Sequence, residues 1–223
     1  MIRVRYPRPV PNRTLEPEDL ETLTARTLAH YDGSAVSFEA ATRDHDVSQN
    51  REALLRGIAS QTGKRPPYRI LDLGCGPGRD LAWFAAQGHE AVGLDGSAQF
   101  VAMARAATGC EVLHQSFLAL ALPAASFDGI FANASLFHVP TQELPRVLTQ
   151  LRAALVENGV LFSSNPRGDD SEGYNGERYG AFHSLESWRA QLEAAGFTYV
   201  EHYFRPEGQP RERQPWLASV WRK

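Results

Sequence analysis

A glycine-rich turn that follows an apolar segment is the feature of this sequence with the clearest chemical meaning. Residues 70–78 read ILDLGCGPG, and the glycines allow the backbone to approach a ligand that a Cβ atom would exclude. A dinucleotide-binding turn needs glycine at position 79, where this chain has Arg79. Asp72 adds a carboxylate, which attracts a cation and repels a pyrophosphate. The turn therefore favours a cationic ligand without phosphate.

A second carboxylate lies where the next strand is predicted to end. Asp95 follows Gly76 by 19 residues, a spacing at which it can accept hydrogen bonds from both hydroxyls of an adenosine ribose. S-adenosylmethionine combines such a ribose with a cationic sulfonium and ammonium and has no phosphate. A nicotinamide dinucleotide would also satisfy Asp95, but Arg79 and Asp72 oppose it. A tight turn without a ligand, with Asp95 capping the helix that begins near Ser97, is the structural alternative.

The elements that must position these residues alternate between strand and helix patterns. Strand, helix and strand patterns at 69–73, 79–87 and 91–94 form one β-α-β unit. The last two strand patterns, at 197–204 and 216–221, have no helical pattern between them, so they should pair as an antiparallel hairpin at the sheet edge. The remaining predicted elements are strands at 111–114, 129–132 and 160–163 and helices that follow Ser97, cover 144–155 and follow Ser184.

Two further segments are predicted to cover the edge of the sheet. Residues 18–62 carry three successive helical periods, the first two separated between Tyr31 and Ala35, and form a helical cap. Residues 163–183 are a polar loop of about twenty residues, longer than compact domains usually tolerate without a use. This loop is predicted to be a substrate lid, with surface disorder as the alternative interpretation.

Three segments of the chain resemble the class I S-adenosylmethionine-dependent methyltransferases, in particular small bacterial enzymes described as related to tellurite-resistance methyltransferases. These segments are LDLGCGPGRDLAWFAAQGHEAVGLDGS at 71–97, SFDGIFANASLFHVP at 126–140 and AALVENGVLFSS at 153–164. The resemblance runs from about Tyr31 to Phe197. It implies a Rossmann-like α/β fold with a seven-stranded, mostly parallel sheet, an antiparallel edge strand and an N-terminal helical cap. The implied cofactor is S-adenosylmethionine, with S-adenosylhomocysteine as its product.

The resemblance also places cofactor contacts on individual residues. Gly74, Gly76 and Gly78 would border the methionine part, Asp95 the ribose, and the residues after Asp95 the adenosine edge. The full expected set is Asp72, Gly74, Cys75, Gly76, Gly78, Arg79, Asp80, Asp95, Gly96, Ser97, Ser116, Phe117 and Asn133.

Two positions of that set depart from the family pattern or have an ordinary alternative. Ser116 stands where the family usually has an acidic residue for the adenine amine, and its hydroxyl can bond there only weakly. Phe117 is expected to pack on the adenine face, although an ordinary core phenylalanine is an equally good interpretation.

The segment after the fourth predicted strand is expected to face the methyl acceptor. Residues 133–138 read NASLFH and lack the Asn-Pro-Pro-aromatic run associated with methylation of nucleobases or amide nitrogens. His138 is predicted to be a base or a substrate contact, since imidazole titrates near neutral pH. A structural histidine that holds a backbone carbonyl is an equally good interpretation.

The expected reaction is in-line transfer of the sulfonium methyl group to an N, S or O nucleophile of a small molecule enclosed between cap and loop. Two other functions remain open, a non-catalytic S-adenosylmethionine-binding sensor or assembly protein and a nicotinamide-dependent oxidoreductase. No metal is expected at residues 44–46, because adjacent side chains point in different directions. The residues expected to contact the acceptor are Tyr31, Arg43, His138, Arg167, Tyr174 and Tyr179.

Composition limits the partners and the location of the chain. The net charge of −3 disfavours a polynucleotide partner. Two cysteines are too few for a disulfide framework, so a cytoplasmic location is expected. No run approaches the roughly 18 apolar residues of a membrane span, and no membrane partner is expected. The expected organisation is an irregular segment at 1–17, the cap at 18–62 and the Rossmann-like core at 63–223.

Overall fold

The computed structural model describes residues 14–223, so most of the segment expected to be irregular lies outside the described residues. Helix α1 begins at Pro17, a favoured residue in the first turn, where a backbone amide has no partner within the helix. The helices of the described part are α1 (Pro17–Thr42), α2 (Ser48–Thr62), α3 (Arg79–Ala86), α4 (Ala98–Thr108), α5 (Leu144–Ala154) and α6 (Leu185–Ala194). Its strands are β1 (Arg69–Leu73), β2 (Glu90–Asp95), β3 (Glu111–His114), β4 (Phe127–Asn133), β5 (Leu155–Pro166), β6 (Ser171–Asn175), β7 (Arg178–Phe182), β8 (Thr198–Arg205) and β9 (Trp216–Arg222).

Seven of these strands form one sheet in the order β3-β2-β1-β4-β5-β9-β8. The first five pair in parallel, which brings their carboxyl ends to one edge of the sheet. Strand β9 lies between β5 and β8 and pairs antiparallel with both. The predicted α/β fold, with a mostly parallel seven-stranded sheet and antiparallel pairing at its edge, is therefore confirmed.

Successive side chains of the central strands point to opposite faces of the sheet and supply two cores. Ile70 of β1 shares one core with Leu54 of α2 and Phe84 of α3. Leu71, the next residue, shares the other core with Leu148 of α5. Full burial of such a side chain contributes about 1.5–3 kcal/mol, and a shift of one residue would move every one of them to the wrong face. The two cores thus fix where β1 ends and where the glycine turn begins.

Helix α1 runs without interruption across the position where two separate helical segments were predicted. Gly33 lies inside the helix, and a Cβ atom there would meet nothing within 4 Å. A glycine at an open helix position costs only about 1 kcal/mol relative to alanine. Contacts on both sides hold the helix: Tyr179 N donates to Thr27 Oγ1 (3.0 Å), and Ser97 Oγ donates to Asp32 Oδ1 (2.5 Å). The predicted break was wrong because these contacts outweigh the weak helix propensity of one glycine.

The segment predicted to be a loop at 163–183 contains regular structure. Strand β5 continues to Pro166, and β6 and β7 then pair as an antiparallel hairpin. Its turn has Gly176 at φ +66°, the left-handed conformation that glycine adopts without strain. Tyr174 and Tyr179 face each other across the hairpin with ring centroids 5.6 Å apart. An Asn-Gly pair at 175–176 between strand-forming residues is a turn pattern that predicts such a hairpin.

Candidate functional site

A cavity of about 930 Å³ lies at the carboxyl edge of the parallel strands. Its floor includes the turn after β1 and the end of β2, and helix α1 and strand β7 contribute to its opposite side. Ligand sites in open α/β sheets form at this edge, and a volume of this size accommodates one drug-sized ligand and more. The cavity is therefore the candidate for the site predicted from the sequence.

The glycine turn after β1 brings bare backbone to the cavity floor. The amide of Gly74 donates to Leu94 O (2.7 Å), which joins the turn to β2. Gly74 has φ +75°, and a Cβ there would lie 2.5 Å from Ser135 Cβ. Gly76 has φ +53°, but its Cβ would meet only Phe38, at 3.9 Å. Glycine is thus required at 74 by close packing, whereas at 76 it leaves open space in front of the backbone.

Asp95 connects the first two turns of the sheet edge. Its Oδ2 accepts from the Gly76 amide and its Oδ1 from the Ser97 amide, each at 2.9 Å. Burial raises the pKa of Asp95, and the backbone donors act against that rise. A carboxylate offers about four lone-pair sites, and the contacts with the Gly76, Ser97 and Gly96 amides leave part of that capacity for donors in the cavity. Asp95 lines the cavity, and its remaining acceptors suit a pair of hydroxyl groups.

An ion cluster beside the turn carries one excess positive charge. Asp80 pairs with Arg51 (2.5 Å) and with Arg79 (2.7 Å). Arg79 lines the cavity and also donates to Thr42 O (2.8 Å) at the end of α1. Sequence reasoning found Asp80 and Arg79 but missed Arg51, which lies one turn into α2. The cluster suits a carboxylate group in the adjacent part of the cavity.

Asp72 is placed differently from the other acidic residues of the predicted set. It is buried behind the turn, and its Oδ2 has no hydrogen-bond partner among the described residues. Burial, together with the nearby charge of Asp80, holds its pKa well above the ordinary value. Asp72 therefore does not form part of the cavity wall.

The adenine end of the predicted site is lined by the segment after β3. Ser116 and Phe117 both line the cavity, and Ser116 Oγ accepts from the Leu118 amide (3.2 Å). Phe117 is partly buried and also packs on the core beneath the sheet. Phe117 thus lines the cavity and packs on the core, and its expected packing on the adenine face stays a prediction.

A buried amide pair forms the wall near β4. Asn133 Oδ1 accepts from Asn50 Nδ2 (2.8 Å), and Asn50 Oδ1 accepts from the Tyr203 hydroxyl (2.9 Å). Asn50 is completely buried, and sequence reasoning missed it. The available signal was its position on the apolar face of α2, one turn before Ala53 and Leu54, where a polar residue needs buried partners.

His138 is held between two elements that sequence reasoning placed near the acceptor. Its Nδ1 lies 2.6 Å from Tyr179 O, and its Nε2 lies 2.8 Å from the Tyr31 hydroxyl. A carbonyl can only accept, so Nδ1 carries the hydrogen and Nε2 accepts from Tyr31. Burial lowers the pKa of His138 to about 4, and Arg178 acts in the same direction. At pH 7 roughly one His138 in a thousand would be protonated, which makes it a weak base.

Six residues of the predicted set are not part of the cavity wall, for identifiable reasons. Asp72 and Ser97 are buried behind it, and a Cβ at Gly78 would meet Ala104 of α4 at 3.0–3.1 Å, so this glycine serves helix packing. The three others make contacts outside the cavity wall. Arg43 pairs with Glu39 on the exposed side of α1. Arg167 donates to Arg211 O (3.3 Å), and Tyr174 lies under the Arg26 guanidinium (4.2 Å).

The predicted residues that do line the cavity come from six different parts of the fold. Several other lining residues were not predicted from the sequence to contact a ligand, among them Arg178, Phe38, Phe100 and Asn50. The predicted lining residues are Tyr31, Gly74, Cys75, Gly76, Arg79, Asp80, Asp95, Gly96, Ser116, Phe117, Asn133, His138 and Tyr179.

Two absences within residues 14–223 concern other kinds of function. No group of three or more His, Cys, Asp or Glu side chains in this part of the chain is arranged to hold a metal ion. No helix in the same range is long and apolar enough to cross a membrane.

Comparison with known proteins identifies the central part of the chain. Residues 70–159 match the family model described as a methyltransferase domain. The chain is 35% identical to the trans-aconitate 2-methyltransferase of Azoarcus sp. (strain BH72) over 130 residues, which cover 56% of this chain and 48% of that protein. The chain thus spans about half the length of the curated relatives it matches.

Solved structures extend the likeness beyond the methyltransferase domain. The Burkholderia thailandensis 1,6-didemethyltoxoflavin-N1-methyltransferase, solved with 1,6-didemethyltoxoflavin and S-adenosylhomocysteine, has a TM-score of 0.75 at 22% identity and covers 96% of this chain and 93% of its own. A TehB-like S-adenosylmethionine-dependent methyltransferase from Corynebacterium glutamicum has a TM-score of 0.65 at 17% identity, with coverages of 87% and 98%. The expected resemblance to class I methyltransferases is confirmed, whereas the narrower resemblance to tellurite-resistance enzymes is not supported beyond the shared fold.

Proposed function

We propose that this protein binds S-adenosylmethionine in the cavity at the sheet edge and transfers its methyl group to a small-molecule acceptor. The observation that carries the proposal is the pairing of Asp95 with the open turn at Gly76, joined by a 2.9 Å hydrogen bond at the cavity floor. The methyltransferase domain match over residues 70–159, which contain both, supports it.

The residues present fit this cofactor at each of its parts. The open space in front of Gly76 admits a ligand against the backbone, and Asp95 retains acceptor capacity for the ribose hydroxyls. The excess positive charge of the cluster around Asp80 suits the methionine carboxylate. Phe117 and Ser116 line the region assigned to adenine. When bound, S-adenosylmethionine supplies an electrophilic methyl group on a sulfonium.

The contribution of the protein is positioning and exclusion of water. Helix α1 and the β6-β7 hairpin are joined by the bond from Tyr179 N to Thr27 Oγ1 and enclose the cavity on the side away from the sheet. Fixed geometry alone supplies effective molarities on the order of 10⁵ M or more. His138 has a low pKa and contributes little as a base at neutral pH, so the acceptor has to be nucleophilic in the form in which it binds.

A small acceptor is favoured over a macromolecule by the charge of the chain and by the small molecules for which similar proteins are named. The net charge of −3 gives no attraction for a polynucleotide. Two of the similar proteins reported above are named for methylation of small molecules, trans-aconitate and 1,6-didemethyltoxoflavin.

The proposal is tested by transfer of labelled methyl groups from S-adenosylmethionine into a fractionated cell extract. We expect label in the low-mass fraction. Label in RNA or protein, with none at low mass, would contradict the small-molecule acceptor. Binding of S-adenosylhomocysteine without transfer into any fraction would instead favour the non-catalytic sensor, and binding of reduced nicotinamide dinucleotide would favour an oxidoreductase.

A further inference from the structure

We propose that Tyr31 and Arg178 together select a methyl acceptor whose nucleophile is a neutral amine nitrogen that carries a hydrogen and lies beside a carbonyl or carboxylate oxygen. The inference rests on the proposed function and names the substrate class of the same cavity. Tyr31 on α1 bonds to His138, and Arg178 on the hairpin contacts the same Tyr31 hydroxyl.

The hydroxyl of Tyr31 presents an acceptor, and no donor, to the cavity. His138 Nδ1 donates to Tyr179 O (2.6 Å), which leaves Nε2 as an unprotonated nitrogen. The single hydrogen of the Tyr31 hydroxyl is directed to that nitrogen, over 2.8 Å. One lone pair of the Tyr31 oxygen then faces the long contact from Arg178 Nη1 (3.5 Å), and the other is available to a ligand. A ligand atom next to Tyr31 is stabilised when it carries an N–H or O–H.

Aromatic packing fixes the position of this oxygen. The Tyr31 ring lies edge-on to Phe38 (5.6 Å between centroids, 89°) and to His138 (5.4 Å, 83°). Phe100 packs on it from a third side, at 5.6 Å. His138 is itself buried between the hairpin and the segment after β4. The acceptor of Tyr31 therefore has a defined direction in the empty cavity and does not depend on a ligand to order it.

Arg178 places a cation beside the same oxygen. Its Nη1 donates to the Tyr31 hydroxyl oxygen over 3.5 Å, and its guanidinium carbon lies 5.8 Å from the Tyr31 ring centroid. No carboxylate of the described residues forms an ion pair with Arg178, whereas the neighbouring Glu177 pairs with Arg26 (2.7 Å). Arg178 lines the cavity, so its remaining N–H groups face it with a full positive charge.

The two features specify a paired recognition pattern. Tyr31 accepts from the hydrogen on the nucleophile, and Arg178 donates to an oxygen next to it. A neutral primary or secondary amine beside a carbonyl or carboxylate presents both groups together. Its nitrogen lone pair forms the new bond to the methyl carbon as the bond from that carbon to sulfur breaks, and the hydrogen stays on the positively charged nitrogen until the product is released, so no base is needed. A plain carboxylate, a thioether or a hydrocarbon would leave the Tyr31 oxygen with only its long contact to Arg178, which is unfavourable.

The first experiment measures the tautomer of His138 in the protein without ligand. Long-range ¹H–¹⁵N spectra of ¹⁵N-histidine-labelled protein distinguish Nδ1–H from Nε2–H, and either His138→Gln or Tyr31→Phe assigns the signal. We expect the neutral Nδ1–H form from pH 6 to pH 8, with the Nε2 signal shifted in Tyr31→Phe and unchanged in the control Tyr174→Phe. An Nε2–H tautomer would overturn the inference, because the Tyr31 hydrogen would then be free to point into the cavity.

The second experiment identifies the methylated atom and the role of Arg178. Products labelled from S-adenosylmethionine in the low-mass extract are located by mass spectrometry, and the acceptor found is then used in kinetics. We expect methyl on an amine nitrogen that carried hydrogen beside a carbonyl or carboxylate. In Arg178→Gln, KM should rise at least tenfold with kcat within about threefold, whereas Arg43→Gln should match the wild type. Methyl on an oxygen, sulfur or carbon would overturn the inference.

A binding titration separates this inference from the function on which it rests. Absence of S-adenosylhomocysteine binding to the wild-type protein would defeat the proposed function and the substrate class with it. Normal binding of S-adenosylhomocysteine with the Nε2–H tautomer would defeat the inference alone.

Discussion

The amide of Gly76 donates to Asp95 Oδ2 over 2.9 Å, so the turns that follow β1 and β2 are joined at the cavity floor by one buried carboxylate. The same carboxylate accepts from the Ser97 amide through its other oxygen. Asp95 is thus at once a structural connection between two turns and an acceptor that faces the cavity. Substitution of Asp95 affects both roles, and separate measurements of binding and of stability distinguish them.

Replacement Asp95→Ala should weaken binding of S-adenosylhomocysteine strongly. Two hydrogen bonds to the ribose would be lost, each contributing on the order of 1 kcal/mol or more, so the dissociation constant should rise by roughly 30-fold or more. Calorimetric titration measures the change, and thermal melting of the unliganded variant reports the separate loss of the Gly76 and Ser97 bonds. The exposed Asp44→Ala is the matched control. An unchanged dissociation constant in a folded Asp95→Ala protein would remove Asp95 from the site.

Gly74→Ala should destabilise the fold more than Gly63→Ala. Both glycines have positive φ, +75° and +68°, so both substitutions carry the left-handed strain of about 1–2 kcal/mol. At Gly74 the new Cβ would also lie 2.5 Å from Ser135 Cβ, whereas at Gly63 it would meet nothing within 4 Å. Urea unfolding should therefore show a larger loss for Gly74→Ala. Equal losses would mean that the turn at Gly74 relaxes without cost.

Asn50→Ala should cost stability even though the side chain is small. The change leaves the half-buried Asn133 amide oxygen without this donor and the Tyr203 hydroxyl with only its contact to Gln49 O (3.3 Å), a penalty of about 1–3 kcal/mol. Denaturant unfolding at neutral pH measures it, and Glu52→Gln on the exposed side of the same helix serves as the control. A loss below about 0.5 kcal/mol would show that water replaces the Asn50 amide.

The stability of the protein should fall with decreasing pH in a window set by His138. Burial lowers the pKa of His138 to about 4 in the folded protein, against an ordinary value of 6.5. Between these values the unfolded chain binds the proton and the folded protein does not. The contribution is therefore complete above pH 6.5, is lost as the pH falls towards 4, and amounts to about 3 kcal/mol. Urea unfolding from pH 7.5 to pH 4.5 should show a weaker pH dependence in His138→Gln than in the wild type; parallel curves would contradict the assignment.

The sequence was sufficient to predict the fold because its signals are local and repeated. The glycine turn, the helix cap at Ser97 and the strand patterns each involve a few neighbouring residues, and the sheet follows from their order. The β6-β7 hairpin was not predicted, because the polar composition of the segment is also typical of a loop. Asn175 and Gly176 are the residues that indicate its turn. Helix α1 was divided at Gly33 because the contacts that hold it come from residues distant in the chain.

The candidate site was predictable only where it lies on the glycine turn and strand ends. Contacts such as Asn50 with Asn133 or Tyr31 with His138 join residues 83 and 107 positions apart, and no local pattern reports them. Arg43 and Arg178 illustrate the limit: both are arginines in covering segments, and only the packing of α1 and the hairpin decides which one faces the cavity.

Calorimetric titration of the wild-type protein with S-adenosylhomocysteine is the most direct test of the central claim. We expect saturable binding with one site per chain and a raised melting temperature. We expect no comparable binding of reduced nicotinamide dinucleotide, since Arg79 stands where a dinucleotide turn requires glycine. Absence of binding heat and of any melting shift at millimolar S-adenosylhomocysteine, with the protein shown to be folded, would contradict it.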